Sequence, residues 1–197
     1  LEKQAVDLLA PWYPEKYIDT EIKSTIDNHV ILSADSITMD KITIYQFTDP
    51  VCVWCWGNEP VMRAIDYLYG NKVGVEYIMG GLIEEISTLY DPKGSKRQII
   101  EKANSLMAEN WLSASERHGM PVNTRHMALF SERYPSSFPQ NIAFEAAHRI
   151  DPTMAKRFLR RIREATFIES RRTSQIDVLI ELAVEVGFDA ARFIDEY

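Results

Sequence analysis

Cysteine is scarce in this chain: two residues in 197, at positions 52 and 55. A disulfide framework needs more cysteines, spaced widely, and a tetrahedral zinc site needs two further ligands. The four histidines, His29, His118, His126 and His148, are scattered with no pair at metal-ligand spacing, so no metal or other cofactor is expected. Basic charge is also short. Lys and Arg number 22 against 29 Asp and Glu, a net charge of −7, which argues against nucleic-acid and anionic-membrane partners. No apolar run approaches the roughly 20 residues of a membrane helix. Repeats, low-complexity tracts and a secretory leader are not seen, and a cytoplasmic location is expected. The first residue is Leu rather than Met, so the true N-terminus is expected upstream. What remains is an ordinary globular composition, 46% apolar and 26% charged.

Residues 1–40 read as an N-terminal arm. Residues 2–9 suit a short helix stopped by Pro11 and Pro14, Trp12, Tyr13 and Tyr17 form an aromatic cluster, and 29–32 suit a short strand. From Lys41 the pattern sharpens. Ile42, Ile44 and Gln46 alternate with Thr43, Tyr45 and Phe47, which predicts a buried strand ended by Asp49-Pro50. Val61, Ala64, Ile65 and Leu68 recur at helical spacing and predict a helix over 53–68, ended by Gly70 and Asn71. Residues 73–79 predict a second strand, closed by Gly80-Gly81. The unit is β-α-β, which implies a parallel sheet.

No further strand is evident. Residues 99–117 predict a helix with Ile99, Ala103, Leu106, Met107 and Asn110 on one face, stopped by Gly119 and Pro121. This helix is long enough to cover the cysteines, with Trp111 and Met107 as core. Pro135 and Pro139 mark 122–138 as irregular. Helices are predicted over 141–150, over 152–166 behind an Asp151 cap, over the segment from Ser174 and Asp177 (read as a capping box) to Val186, and from Asp189 to the end. Gly187 closes the third of these. Arg160, Arg161, Arg163, Arg171 and Arg172 form a basic stretch that reads as a solvated face.

Cys52-Val53-Trp54-Cys55 sits at the predicted strand-to-helix turn. Two cysteines one turn apart can close a disulfide, and the unpaired N–H groups of a helix start stabilise a thiolate. That arrangement points to redox chemistry. Cys52 is expected to be the nucleophile, with a pKa below its free value, and Cys55 the resolving thiol. Asp49 is expected to oppose the thiolate, and the uncharged Val53-Trp54 dipeptide leans away from a very strong oxidant. Pro50, Trp54 and Trp56 are the candidate substrate contacts. For the two tryptophans a second reading stands equal, with Trp56 in the core and Trp54 shielding the sulfurs.

The run Phe47-Thr48-Asp49-Pro50-Val51-Cys52-Val53-Trp54-Cys55-Trp56-Gly57 resembles the D-P-x-C-x-W-C-W/Y-G motif of DsbA-family thioredoxin-fold proteins, in the branch of FrnE-like oxidoreductases and protease adaptors. Pro60, Gly80-Gly81-Leu82, the segment His118 to Asn123, and the helix from Ser137 to His148 fall in the family's order. The resemblance, over roughly residues 41–197, implies an α/β, thioredoxin-like fold interrupted by a helical insertion domain. The expected division is an arm at 1–40, a β-α-β half at 41–82 and the insertion at 83–197. The family's cis-proline loop and C-terminal hairpin have no match; Pro121, near Gly119, is the candidate, without the β-rich run that should follow. The native chain is therefore expected to continue past Tyr197, or the open sheet edge to be covered by residues 28–32 or by a second copy in a homodimer.

The resemblance implies a thiol–disulfide oxidoreductase acting on a disulfide-bearing protein or a small-molecule thiol substrate. A redox-sensing adaptor that delivers a protein partner to a protease is the alternative. A glutathione-dependent isomerase or transferase is a third, which Cys52 argues against, since those enzymes usually carry Ser there.

Overall fold

The computed structural model describes residues 42–89 and 93–197. The expected helix, aromatic cluster and strand of the N-terminal arm lie outside them. The chain divides into two compact units. Residues 42–46 and Asn58–Tyr77 belong to one, and Phe47–Gly57 with Ile78–Tyr197 make the other.

Strand β1 (Ile42–Thr48) forms where β-branched and aromatic residues alternate, and it pairs with β2 (Val73–Met79). Ile42 N–H donates to Lys72 C=O at one end and Gly80 N–H to Thr48 C=O at the other, so the two strands run parallel. They are the whole sheet among the described residues. One expectation fails here. β1 is not buried through its length: Ile42, Tyr45 and Phe47 are all exposed, Phe47 at 73%. Composition makes the strand, but burial depends on a second layer that a strand's own sequence does not supply.

The helix expected over 53–68 is two helices, α1 (Val53–Gly57) and α2 (Glu59–Tyr69), parted at Asn58. Pro60 is the cause. It has no N–H to give and its ring crowds the carbonyl four residues back, so it is tolerated only in the first turn of a new helix.

The larger unit is helical. A short 3-10 turn (Ile86–Thr88) precedes α3 (Lys96–His118), which starts in a Ser95–Gln98 capping box and stops at Gly119, whose φ of 75° is a left-handed turn that glycine adopts without strain. Its buried face is Ile99, Ile100, Ala103, Asn104, Met107, Trp111, Ala114 and His118, so Asn110 falls outside the face predicted for it. α4 (Phe138–Ile150) begins earlier than expected because Pro139 lies in its first turn rather than before it. α5 (Pro152–Phe167) starts where Asp151 accepts the Thr153 and Met154 N–H groups. α6 (Ile176–Val186) lacks the expected capping box: Ser174 turns inward and its hydroxyl donates to Leu129 C=O. α7 (Ala190–Glu196) is capped by Asp189, as expected.

The core of this unit joins Val51, Val53 and Trp56 to Ile100, Met107, Trp111, Phe130 and Phe167. The cysteine turn is thus pinned by apolar side chains of the helical block. This is a thioredoxin-like fold with a helical insertion, as the motif order implied. Among the described residues no helix is long and apolar enough to cross a membrane.

Candidate functional site

Thr48 ends β1 and Cys52 precedes α1, so the site hangs on the three residues between them. That turn is fixed by Asp49. Its carboxylate is buried and accepts four hydrogen bonds: from Val51 N–H at 2.8 Å, Leu82 N–H at 2.8 Å, the Ser137 hydroxyl at 3.1 Å and the Asn141 amide at 2.8 Å. Asp49 was expected to oppose a thiolate. Instead its charge is shared among donors from the turn itself, the loop after β2 and helix α4.

Cys52 and Cys55 are both reduced and both half-buried. Cys55 N–H donates to Cys52 Sγ at 3.4 Å, which places the two thiols on one side of the first helical turn. The charge between them is distributed against expectation. Hydrogen bonding from the Cys52 thiol, then from the Thr48 hydroxyl and Asp49 N–H, with the Arg163 charge nearby, pulls the Cys55 thiol down to about 5 from 9.0. Hydrogen bonding to Cys55 and burial push the Cys52 thiol up, although the Cys55 and Trp54 backbone N–H groups oppose this. The hydrogen bond between the two sulfurs is the largest cause of both shifts, so the pair shares one proton. The Trp54 and Cys55 N–H groups at the helix start do favour a thiolate on Cys52, but its hydrogen bond to Cys55 and burial outweigh them.

The other candidates separate cleanly. Trp54 is 51% exposed beside the sulfurs and remains accessible to a substrate. Trp56 is 1% exposed, its indole N–H donates to Pro121 C=O at 3.0 Å, and its ring stacks on Phe167 at 5.7 Å. Trp56 is core and offers no platform. Pro50 is likewise buried in the turn, so neither residue meets a substrate from the surface. Pro121 has a trans peptide bond, as have all the described residues.

Two residues missed in the sequence stand here. His118, the last residue of α3, packs against Gly57 and sets its ring edge-to-face with Trp54 at 5.8 Å. Its Nδ1 accepts Met120 N–H, so the proton sits on Nε2, and burial lowers its pKa. Arg163 was read as part of a solvated basic face, yet it is 1% exposed and its Nη2 donates to Thr48 Oγ1 at 2.5 Å. The signal for it was register. Ala155, Phe158, Leu159 and Ile162 define the buried stripe of α5, and position 163 falls on that stripe, one helical turn past Leu159. Arg160 and Arg161 do behave as surface residues, pairing with Glu164 and with Glu169 and Glu185.

The Thioredoxin family matches residues 45–197. The ClpXP adapter protein SpxH of Halalkalibacterium halodurans is 28% identical over 174 residues, covering 85% of this chain and 55% of that protein. The cytosolic disulfide reductase DsbM of Pseudomonas aeruginosa superposes with a TM-score of 0.61 at 24% identity, over 78% of this chain and 70% of that one. The same enzyme solved with GSH gives 0.59 at 24% identity, over 78% and 71%. The chain spans about half the length of the curated relatives it matches.

Proposed function

The chain belongs to the thioredoxin family, and from that premise we propose that it is a DsbA-like thiol–disulfide oxidoreductase working through Cys52 and Cys55. The observation that carries this reading is the contact of Cys55 N–H with Cys52 Sγ at 3.4 Å, beside an exposed Trp54. The pair holds one proton and one negative charge. Cys52 attacks a substrate disulfide as its proton passes to Cys55. The Cys52–substrate S–S bond forms, the substrate S–S bond breaks, and the departing thiolate takes the proton from Cys55. Cys55, again a thiolate, attacks Cys52 and releases the second substrate sulfur. The substrate gains two electrons and the protein becomes the intramolecular disulfide; the reverse sequence oxidises a dithiol. The substrate is a disulfide-bearing protein, docked against Trp54, or a small thiol compound such as the GSH seen on DsbM.

A second reading draws on the SpxH relatives: an adaptor that presents a protein partner to a protease, with the cysteine pair sensing redox state. Insulin reduction separates the two. The oxidoreductase reading expects turbidity from the freed insulin chains in the presence of a small-thiol reductant, lost in Cys52→Ser. A wild-type rate equal to that of the reductant alone would overturn it in favour of the adaptor.

A further inference from the structure

His118 occupies a place that fits a neutral imidazole and not an imidazolium. It ends α3 and is 9% exposed. Its ring carbons stand 2.5 Å from where a Gly57 side chain would begin, so the imidazole fills the space that glycine leaves. The ring also meets Trp54 edge-to-face at 5.8 Å. Trp54 and Gly57 are three residues apart and share one face of α1, whereas Cys52 and Cys55 lie round the helix from it. His118 therefore braces Trp54 rather than the sulfurs.

The two ring nitrogens differ. Nδ1 accepts Met120 N–H at 3.1 Å, which puts the one proton of the neutral ring on Nε2. Nε2 is enclosed and has no hydrogen-bonding partner among the described residues. A second proton would have to go on Nδ1. It would set two N–H groups face to face across the Met120 contact and bury a positive charge. Within this unit, the titratable and charged groups on the elements packed against the ring are Cys52 and Cys55, on the other side of α1, and Glu116 and Arg117 of α3, both exposed. Burial pushes the His118 pKa below its ordinary 6.5. The imidazole gains a proton only by leaving the Gly57–Trp54 face, and the contact that fixes the Trp54 ring leaves with it.

We propose that neutral His118 positions Trp54 to dock a protein disulfide, and that acid releases the docking ring by adding the second imidazole proton. This deepens the oxidoreductase reading above and rests on it. The device selects among substrates and leaves the sulfur chemistry alone. A protein disulfide that leans on Trp54 loses its hold in acid, while a small disulfide reaches Cys52 either way. Release falls below pH 6.5, since the buried ring takes its second proton later than a free one. An aromatic pair of this kind changes an equilibrium about two- to tenfold, which sets the size of the effect.

The test is a competition on the full, reduced chain carrying Cys55→Ser, in which an adduct on Cys52 is not resolved. Insulin and hydroxyethyl disulfide are offered together. Each attack forms one Cys52–substrate S–S bond, breaks one substrate S–S bond and releases the other half as a thiolate. Mass spectrometry at early times gives the ratio of the two adducts. One thiolate makes both, so its ionisation cancels from the ratio. His118→Phe keeps an aromatic edge against Trp54 and takes no proton, and dividing by its ratio cancels the titration of insulin. The insulin share relative to His118→Phe should fall about fivefold between about pH 7.5 and about pH 5. His118→Ala should show the low insulin share already at about pH 7.5. A share relative to His118→Phe that is constant with pH, or a His118→Ala share that equals the parent's near neutrality, overturns the inference and leaves the oxidoreductase reading standing. If His118→Phe does not fold, an NMR titration of the parent decides: the Met120 amide and Trp54 indole signals should shift at the midpoint of the His118 ring, and a Trp54 signal unmoved through that midpoint overturns the inference. A protein that forms neither adduct overturns both readings.

Discussion

The Asp49 carboxylate and the Asn141 side-chain amide, 92 positions apart, meet at 2.8 Å inside the larger unit. That contact is one of four on a single buried carboxylate, and together they tie the cysteine turn to the loop after β2 and to the first turn of α4. A carboxylate with four donors aimed at it has no neutral substitute of the same shape. Asp49→Asn turns an NH2 group toward N–H and O–H donors. The expected cost is about 3 kcal/mol, since charge-assisted bonds are lost and buried donors go unmet. Urea unfolding measures it, and a loss below about 0.5 kcal/mol would mean that the network does not hold the turn.

The cysteine pair makes the stability of the reduced protein depend on pH. Cys55 falls to about 5 in the folded protein from 9.0, so between those values the unfolded chain binds one more proton than the folded chain. Stability from this thiolate is fully present above about pH 9 and is lost as pH falls through about 5. Cys52 shifts the other way. Above its ordinary value the unfolded chain ionises it and the folded chain does not, so stability falls again as pH rises further. Reduced and oxidised forms share every other titrating group. The difference between their unfolding free energies should therefore swing toward the reduced form from pH 5 to 9 and back beyond it. A difference flat across that range would place the charge on neither thiol.

The two tryptophans of the motif should part company under substitution. Trp56→Ala removes a side chain that is 1% exposed, with its hydrogen bond to Pro121 and its stacking on Phe167. The expected loss is about 3–5 kcal/mol. Trp54→Ala removes a half-exposed ring and should change stability by no more than about 0.5 kcal/mol. Its effect belongs to function: a raised KM for a protein disulfide, with exchange toward a small disulfide nearly unchanged. Equal destabilisation by both substitutions would return Trp54 to a purely structural role.

Local chemistry made much of this legible. The two strands, the Asp151 and Asp189 caps, and the Gly119 and Gly187 stops depend on residues within a turn of one another, and the sequence patterns located them. What stayed hidden was decided at long range. Ser174 was free to cap α6 until the Leu129 carbonyl, 45 positions away, took its hydroxyl. Tyr45 and Phe47 look like core residues, and only the absence of a covering layer among the described residues exposes them. Arg163 carries the clearest lesson. Its residue type says surface and its register says core, and register prevailed, with Thr48 supplying one acceptor there.

Gly57 and His118 give the last test. Gly57 closes α1, and a methyl group added there would stand 2.5 Å from the His118 ring carbons and 2.9 Å from its Cβ. No rotamer of an alanine avoids this, so either the end of α1 or the end of α3 must move. Gly57→Ala should therefore cost about 1–3 kcal/mol, the usual range for overpacking. The ring contacts belong to the imidazole alone, whereas the Cβ contact survives in any residue but glycine. His118→Ala in the Gly57→Ala background should thus recover part of the loss and never all of it, giving a coupling energy of about 1 kcal/mol in a double-mutant cycle. The same cycle reads the site. If the clash displaces α1, it moves Cys55 N–H away from Cys52 Sγ, and the alkylation midpoint of the pair should shift in Gly57→Ala and partly return in the double variant. Additive losses with an unmoved midpoint would show that α3 does not brace the cysteine turn.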